Sequence, residues 1–241
     1  MKNRYKKNFI QEAIFEAKFG GYNFDNTSTG LIYNSVRENY PEKEDIKLPE
    51  FLETSGANLE FIPRSRFKKS DLSELIQIAP GQVATNNLKY SNWDNFSLGI
   101  HNALKSYISI AEPKLCKRIG TRFINRFVIH DKEVNISDYF NLSVTAPIEM
   151  IKNINSFDLT LLSNFKLGES NFRVITKLCT DSARHNEEGY FIILDIDCYC
   201  EETIIPSINK MVSVANTCHE QLEKIFEAII TDNIRSMMGL I

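Results

Sequence analysis

Residues 207–238 carry Ile208, Met211, Val212, Ala215, Cys218, Leu222, Ile225, Phe226, Ile229 and Ile230 at three- and four-residue steps. That spacing predicts one long helix with a single apolar stripe. Such a helix must lay its stripe along a sheet or a partner surface, so the rest of the chain is read first for strands. The clearest is Arg118–Ile129. Ile119, Phe123, Phe127 and Ile129 share one face, while Arg118, Arg122 and Arg126 share the other. Further strands are expected at 157–166, 171–180 and 190–200, the last two forming a hairpin about the Asp181–Gly189 loop.

The first half reads as a mixture. Ala13, Phe15, Ala17 and Phe19 alternate with Ile14, Glu16 and Lys18 and end at Gly20-Gly21, which predicts a strand. Asn26-Thr27-Ser28-Thr29 offers cap residues for a helix over about 29–39, ended by Tyr40-Pro41. Residues 41–73 are charged and hold Pro49 and Pro63. They read as a mobile loop segment with at most one short strand. Pro80-Gly81 marks the turn of a hairpin between 74–79 and 82–88. Ser91-Asn92 opens an amphipathic helix through Trp93, Phe96, Ile100, Ala103, Leu104 and Tyr107 that stops before Pro113.

The resulting expectation is an α+β fold: a curved, largely antiparallel sheet packed by helices, including the long C-terminal one. The 241 residues form a single body, in which 1–145 and 146–241 are candidate similar halves. Charge narrows the partners. The 28 Lys+Arg against 31 Asp+Glu leave a net charge of -3, without the global basic field of a general nucleic-acid binder. No apolar run approaches the roughly 18–20 residues that span a bilayer. Glu12 and Glu16 stand where a signal peptide needs an apolar core, so a cytoplasmic protein is expected. The five cysteines (Cys116, Cys179, Cys198, Cys200, Cys218) are odd in number and fit no disulfide framework. They read as buried thiols.

Few residues carry recognisable chemistry. Asp195 and Asp197, two apart on a strand, share a face that a divalent cation could exploit. The plainer reading pairs them with cations across the sheet; a register setting Arg173 opposite Asp197 places Lys177 on that face too. No metal or other cofactor is therefore expected. Arg118, Arg122 and Arg126, spaced about 7 Å apart along their strand, could grip phosphates or an acidic partner surface. Their alternative is cross-sheet pairing with Asp195, Asp197 or Glu201. Phe123 and Phe127 lie on the opposite face by parity, which weakens a nucleic-acid stacking platform. No Walker sequence, G-x-G-x-x-G, H-x-x-x-H or G-x-S-x-G is present. His219 and Glu223 form an i,i+4 helix pair. No catalytic residue is assigned, and the balance leans away from an enzyme.

Several stretches together resemble a sporadically distributed bacterial conserved-hypothetical family of about 250 residues. They are Gln11–Glu16, Tyr90-Ser91-Asn92-Trp93, Arg118–Arg126, Ile136–Phe140, Leu194–Asp197 and the terminal His219…Phe226-Glu227…Ile230-Thr231. The resemblance covers nearly the whole chain and brings no catalytic residues. Its patchy distribution is that of mobile, defence or toxin-linked genes. Absent catalytic motifs, ordinary charge and the long amphipathic terminal helix, taken with that association, lead to the expectation of a non-enzymatic interaction subunit of a defence or toxin system, accessory, inhibitory or antitoxin-like. Its protein partner is expected to be encoded nearby, with a homo-oligomer through the 207–238 helix as a further option. The other functional class is an anionic-ligand domain, for nucleotide or nucleic acid, in which Arg118, Arg122, Asn125 and Arg126 bind. Arg173, Asp195 and Asp197 would then complete an Arg–Asp network facing that strand.

Overall fold

The computed structural model describes residues 5–51, 59–130, 134–142, 156–181 and 189–239; within 47–51 and 59–63 only the backbone course is described. In chain order the elements are β1 (Ile10–Gly20), α1 (Ser28–Val36), β2 (Glu42–Phe51), β3 (Leu59–Lys68), β4 (Glu74–Ala79) and β5 (Gln82–Asn87). There follow α2 (Trp93–Ala111), β6 (Leu115–Ile129), β7 (Asp158–Leu167), β8 (Ser170–Thr180), β9 (Tyr190–Cys200), α3 (Ile208–Ile229) and α4 (Asp232–Met238). The strands join in one open, curled sheet of order β2-β3-β4-β5-β1-β6-β9-β8-β7, antiparallel at every junction. Each side of the sheet follows the same course. The chain leaves a central strand (β1 or β6), crosses to an outer edge (β2 or β7), and meanders back to the centre before a helix. The boundary between candidate halves, at 145/146, lies outside the described residues.

Strand parity sorts the side chains. Ala13, Phe15, Ala17 and Phe19 of β1, Ile119, Phe123, Phe127 and Ile129 of β6, and Ile192, Leu194, Ile196 and Cys198 of β9 are all buried in one core. Helices α1, α2 and α3 cover that face, α3 packing on β6, β9 and α2. The apolar stripe of α3 is thus spent on its own sheet: Met211, Ala215, Cys218, Leu222 and Ile229 are buried there. The five cysteines are free and buried. Among the described residues no helix is long and apolar enough to cross a membrane.

The local signals explain most boundaries. Gly81 turns the β4–β5 hairpin at φ +74°, in the left-handed region. Asn92 caps α2 by accepting from Asn95 N at 2.9 Å. Glu112 ends that helix in a left-handed conformation, with Pro113 following. At α1 the cap is supplied differently: Asp25 accepts from the backbone N–H groups of Thr27 and Ser28.

Two expectations need correction. Residues 41–73 are not a loop with one short strand, because β2 and β3 pair over ten residues each. Pro49 is tolerated because β2 is the outermost strand, and Pro63 because β3 pairs with β4 only at 65–68. Residues 52–58 of that segment lie outside the described residues. Nor is 207–238 one helix. Ile230 leaves the helix at φ -76°, ψ 145° and bridges Phe140. Asn141 N donates to Ile229 O at 2.7 Å, and Thr231 N to Tyr139 O at 3.0 Å. The 134–142 segment therefore supplies partners that replace the helical ladder at the break.

Candidate functional site

The sheet face opposite the helices carries the arginine row. Arg118, Arg122 and Arg126 point there from β6, together with Glu12 and Glu16 of β1 and Asp195 and Asp197 of β9, because antiparallel pairing preserves parity across neighbours. Every arginine is committed. Arg118 Nη1 donates to Glu16 Oε1 at 2.6 Å and Nη2 to Asp197 Oδ2 at 3.0 Å. Arg122 grips Asp195 with two parallel bonds, Nε to Oδ1 at 2.8 Å and Nη2 to Oδ2 at 2.5 Å. Arg126 donates to Asp181. Gly120 sits between these groups; a Cβ there would lie 2.8 Å from Tyr199 Cβ, which is why the Arg118 guanidinium can rest 4.4 Å above the Tyr199 ring.

The electrostatics follow from this packing. Burial pushes the Asp197 carboxyl above its ordinary range, while Arg118 and Arg122 pull it back. Asp195 raises the Arg122 guanidinium against its own desolvation. An incoming phosphate would have to displace carboxylates already seated at hydrogen-bond distance. The space left between Glu16, Arg118, Arg122 and Asp197 is about 80 Å³, room for water. Asp195 and Asp197 do share a face, as their spacing requires, but each faces an arginine. Among the described residues no group of three or more His, Cys, Asp or Glu gathers to hold a metal ion.

Two assigned residues lie elsewhere. The β8–β9 register sets Arg173 opposite Tyr199 and Ile175 opposite Asp197, two residues from the expected pairing. Arg173 is exposed and pairs with Glu201 at 3.0 Å, outside the network. Lys177 does fall opposite Asp195, yet its ammonium goes to Asp158 of β7 at 2.6 Å. Asn125, odd in number, points to the helix face, away from the arginines. Sequence reasoning missed Glu16 and Asp181. The parity of Glu12 and Glu16 was visible, but the β1–β6 register that brings Glu16 to Arg118 was not.

On the helix face the structure opens a half-enclosed cavity of about 300 Å³. The chain before β1, the start of α2 and one side of α3 surround it, with Phe123, Asn125 and Ile196 of the sheet as its floor. Trp93 stacks on His219 at 4.1 Å between ring centroids and donates Nε1–H to Asn216 Oδ1 at 2.8 Å. The Tyr90 and Phe123 rings lie 5.0 Å apart. Glu227 accepts from Tyr5 Oη at 2.7 Å, and His219 Nε2 lies 3.5 Å from Glu223 Oε1. His219 is 5% exposed, and among the described residues its Nδ1 is buried without a hydrogen bond. Desolvation lowers it to about 4, so the ring is neutral at neutral pH.

No family model and no curated protein matches this chain.

Proposed function

We propose that this protein is a non-enzymatic interaction subunit that receives an extended segment of a partner protein at the β7 edge of its sheet. One observation carries the reading. β7 is a ten-residue edge strand bonded to β8 alone among the described strands, and Leu161, Leu162 and Leu167 are 41, 77 and 49% exposed on it. Long apolar edges invite pairing, and proteins blunt them with charge or proline. The opposite edge is blunted in this way: β2 reads Glu-Lys-Glu-Asp and contains Pro49. β7 has no proline, and its charges, Asp158 and Lys166, lie near its ends. Strand addition there would satisfy free backbone groups and cover the leucines.

The commitment of Arg118, Arg122 and Arg126 to carboxylates favours this reading over an anion-binding face. The finer assignment, an antitoxin-like or accessory partner within a bacterial defence system, rests on the family resemblance alone. Co-expression with the products of neighbouring genes, followed by native mass spectrometry, tests the proposal. A stoichiometric complex lost in a Leu161→Lys/Leu162→Lys variant of unchanged circular dichroism supports it. A solitary monomer, or a complex indifferent to the two lysines, refutes it.

A further inference from the structure

We infer that the cavity between α2 and α3 binds a small, uncharged, planar heteroaromatic molecule of about nucleobase to nucleoside size. This site stands apart from the β7 edge and does not rest on the partner reading. At about 300 Å³ the cavity reaches the lower range of small-ligand pockets, and half of it is closed by protein. Rings form part of its walls: Tyr90, Trp93, Phe123 and Phe226 all line it, with Trp93 stacked on His219 and Tyr90 packed on Phe123, so a flat ring system would stack on the surface these pairs leave open.

The floor supplies direction. Asn125 is 3% exposed, in the middle of a sheet face where every neighbouring parity position is apolar or small. Its Nδ2 donates to Leu194 O at 3.2 Å. Among the described residues nothing donates to its Oδ1, and that oxygen is not sealed in the interior but open to the cavity it lines. An N–H on the edge of a heteroaromatic ring is a donor of suitable size and shape for it. The charges at the rim set the sign. Lys6, Lys7, Glu223 and Glu227 all line the cavity, and Glu227 already accepts from Tyr5 and Arg235. The lining carries two lysines and two glutamates, formally balanced, with Arg235 bonded to Glu227 beside it. No arginine lines the cavity among the described residues, so nothing there offers the bidentate grip that fixes a phosphate or carboxylate.

The test uses the one tryptophan of the chain, Trp93, which lies in the wall. The full-length protein is titrated with adenine, guanine, adenosine, cytidine, uridine and indole, each nucleoside being matched by its 5′-monophosphate. The expected result is saturable quenching of Trp93 by at least one uncharged member, with its phosphorylated counterpart at least tenfold weaker. Asn125→Leu should weaken that binding at least tenfold by calorimetry, and Tyr90→Ala should weaken it independently. Tyr90 is only half-buried, so that second variant keeps the test open if Asn125→Leu does not fold. No saturable quenching by any uncharged member overturns the inference. So does equal or tighter binding of the monophosphate, or binding indifferent to both substitutions.

Discussion

Acidification should weaken this protein through His219, and the size of the effect follows from where the ring sits. Its imidazole is 5% exposed, stacked on Trp93 and 5.5 Å from the Phe123 ring. Burial holds it to about 4 against an ordinary 6.5. A lowered folded value means that the unfolded chain binds the extra proton between these limits. The neutral ring's full contribution is therefore present above about pH 6.5 and is lost as pH falls towards 4. The loss from this one group is about 2 kcal/mol at pH 5 and about 3 kcal/mol near pH 4. His219→Phe keeps an aromatic ring against Trp93 and removes the proton site. Carboxylates lie nearby, Glu223 at 3.5 Å from Nε2 among them, so the informative quantity is the difference between two proteins. Urea denaturation at pH 7 and pH 5, followed by circular dichroism, should show the wild type losing about 2 kcal/mol more than the variant. Parallel losses in both would show that His219 titrates normally in the fold and refute the reasoning.

Two further outcomes are expected. Arg122→Met should destabilise the protein by about 2 kcal/mol, less than the 3–5 typical of a broken buried pair because the Arg122 side chain is 45% exposed. Arg122→Met/Asp195→Leu should recover at least half of that loss in urea denaturation, since no uncompensated carboxylate remains. For the thiols, burial pushes Cys116 up to about 12 and also raises Cys179 and Cys200. None of the five buried cysteines should react with an aromatic disulfide at pH 8 within minutes, and all five should react in denaturant; rapid labelling of the native protein would contradict their placement.

Much of the architecture was legible because strand and helix periods are local. The alternation in 118–129 correctly placed the arginines on one face and the phenylalanines on the other, and the same rule put Asp195 and Asp197 on a shared face. Asn92 and Pro113 bracketed α2, and Pro80-Gly81 marked the β4–β5 hairpin. The β2–β3 pair was not legible, because prolines and charges that ordinarily signal a loop are also the signature of an edge strand. Which reading holds depends on a neighbour that local sequence does not name. The break at Ile230 was hidden for a similar reason: its apolar stripe continues unbroken, and only the 134–142 segment, nearly a hundred residues away, supplies the bonds that end the helix.

The candidate sites divide along the same line. Periodicity placed three arginines on one face of their strand and two aspartates on one face of theirs, and predicted an amphipathic helix laid along a sheet or partner surface. The β6–β9 pairing decided that both sets share the face opposite the helices. Periodicity could not choose their partners, because register slides in steps of two without changing face; Arg173 met Glu201 instead of Asp197 for that reason. Asn125, Tyr90, Trp93 and His219 lie far apart along the chain, and each looks ordinary in its own segment. Only the packing of α2 and α3 against β6 gathers them around one cavity, because proximity in a folded chain is set by long-range burial, which no local pattern encodes.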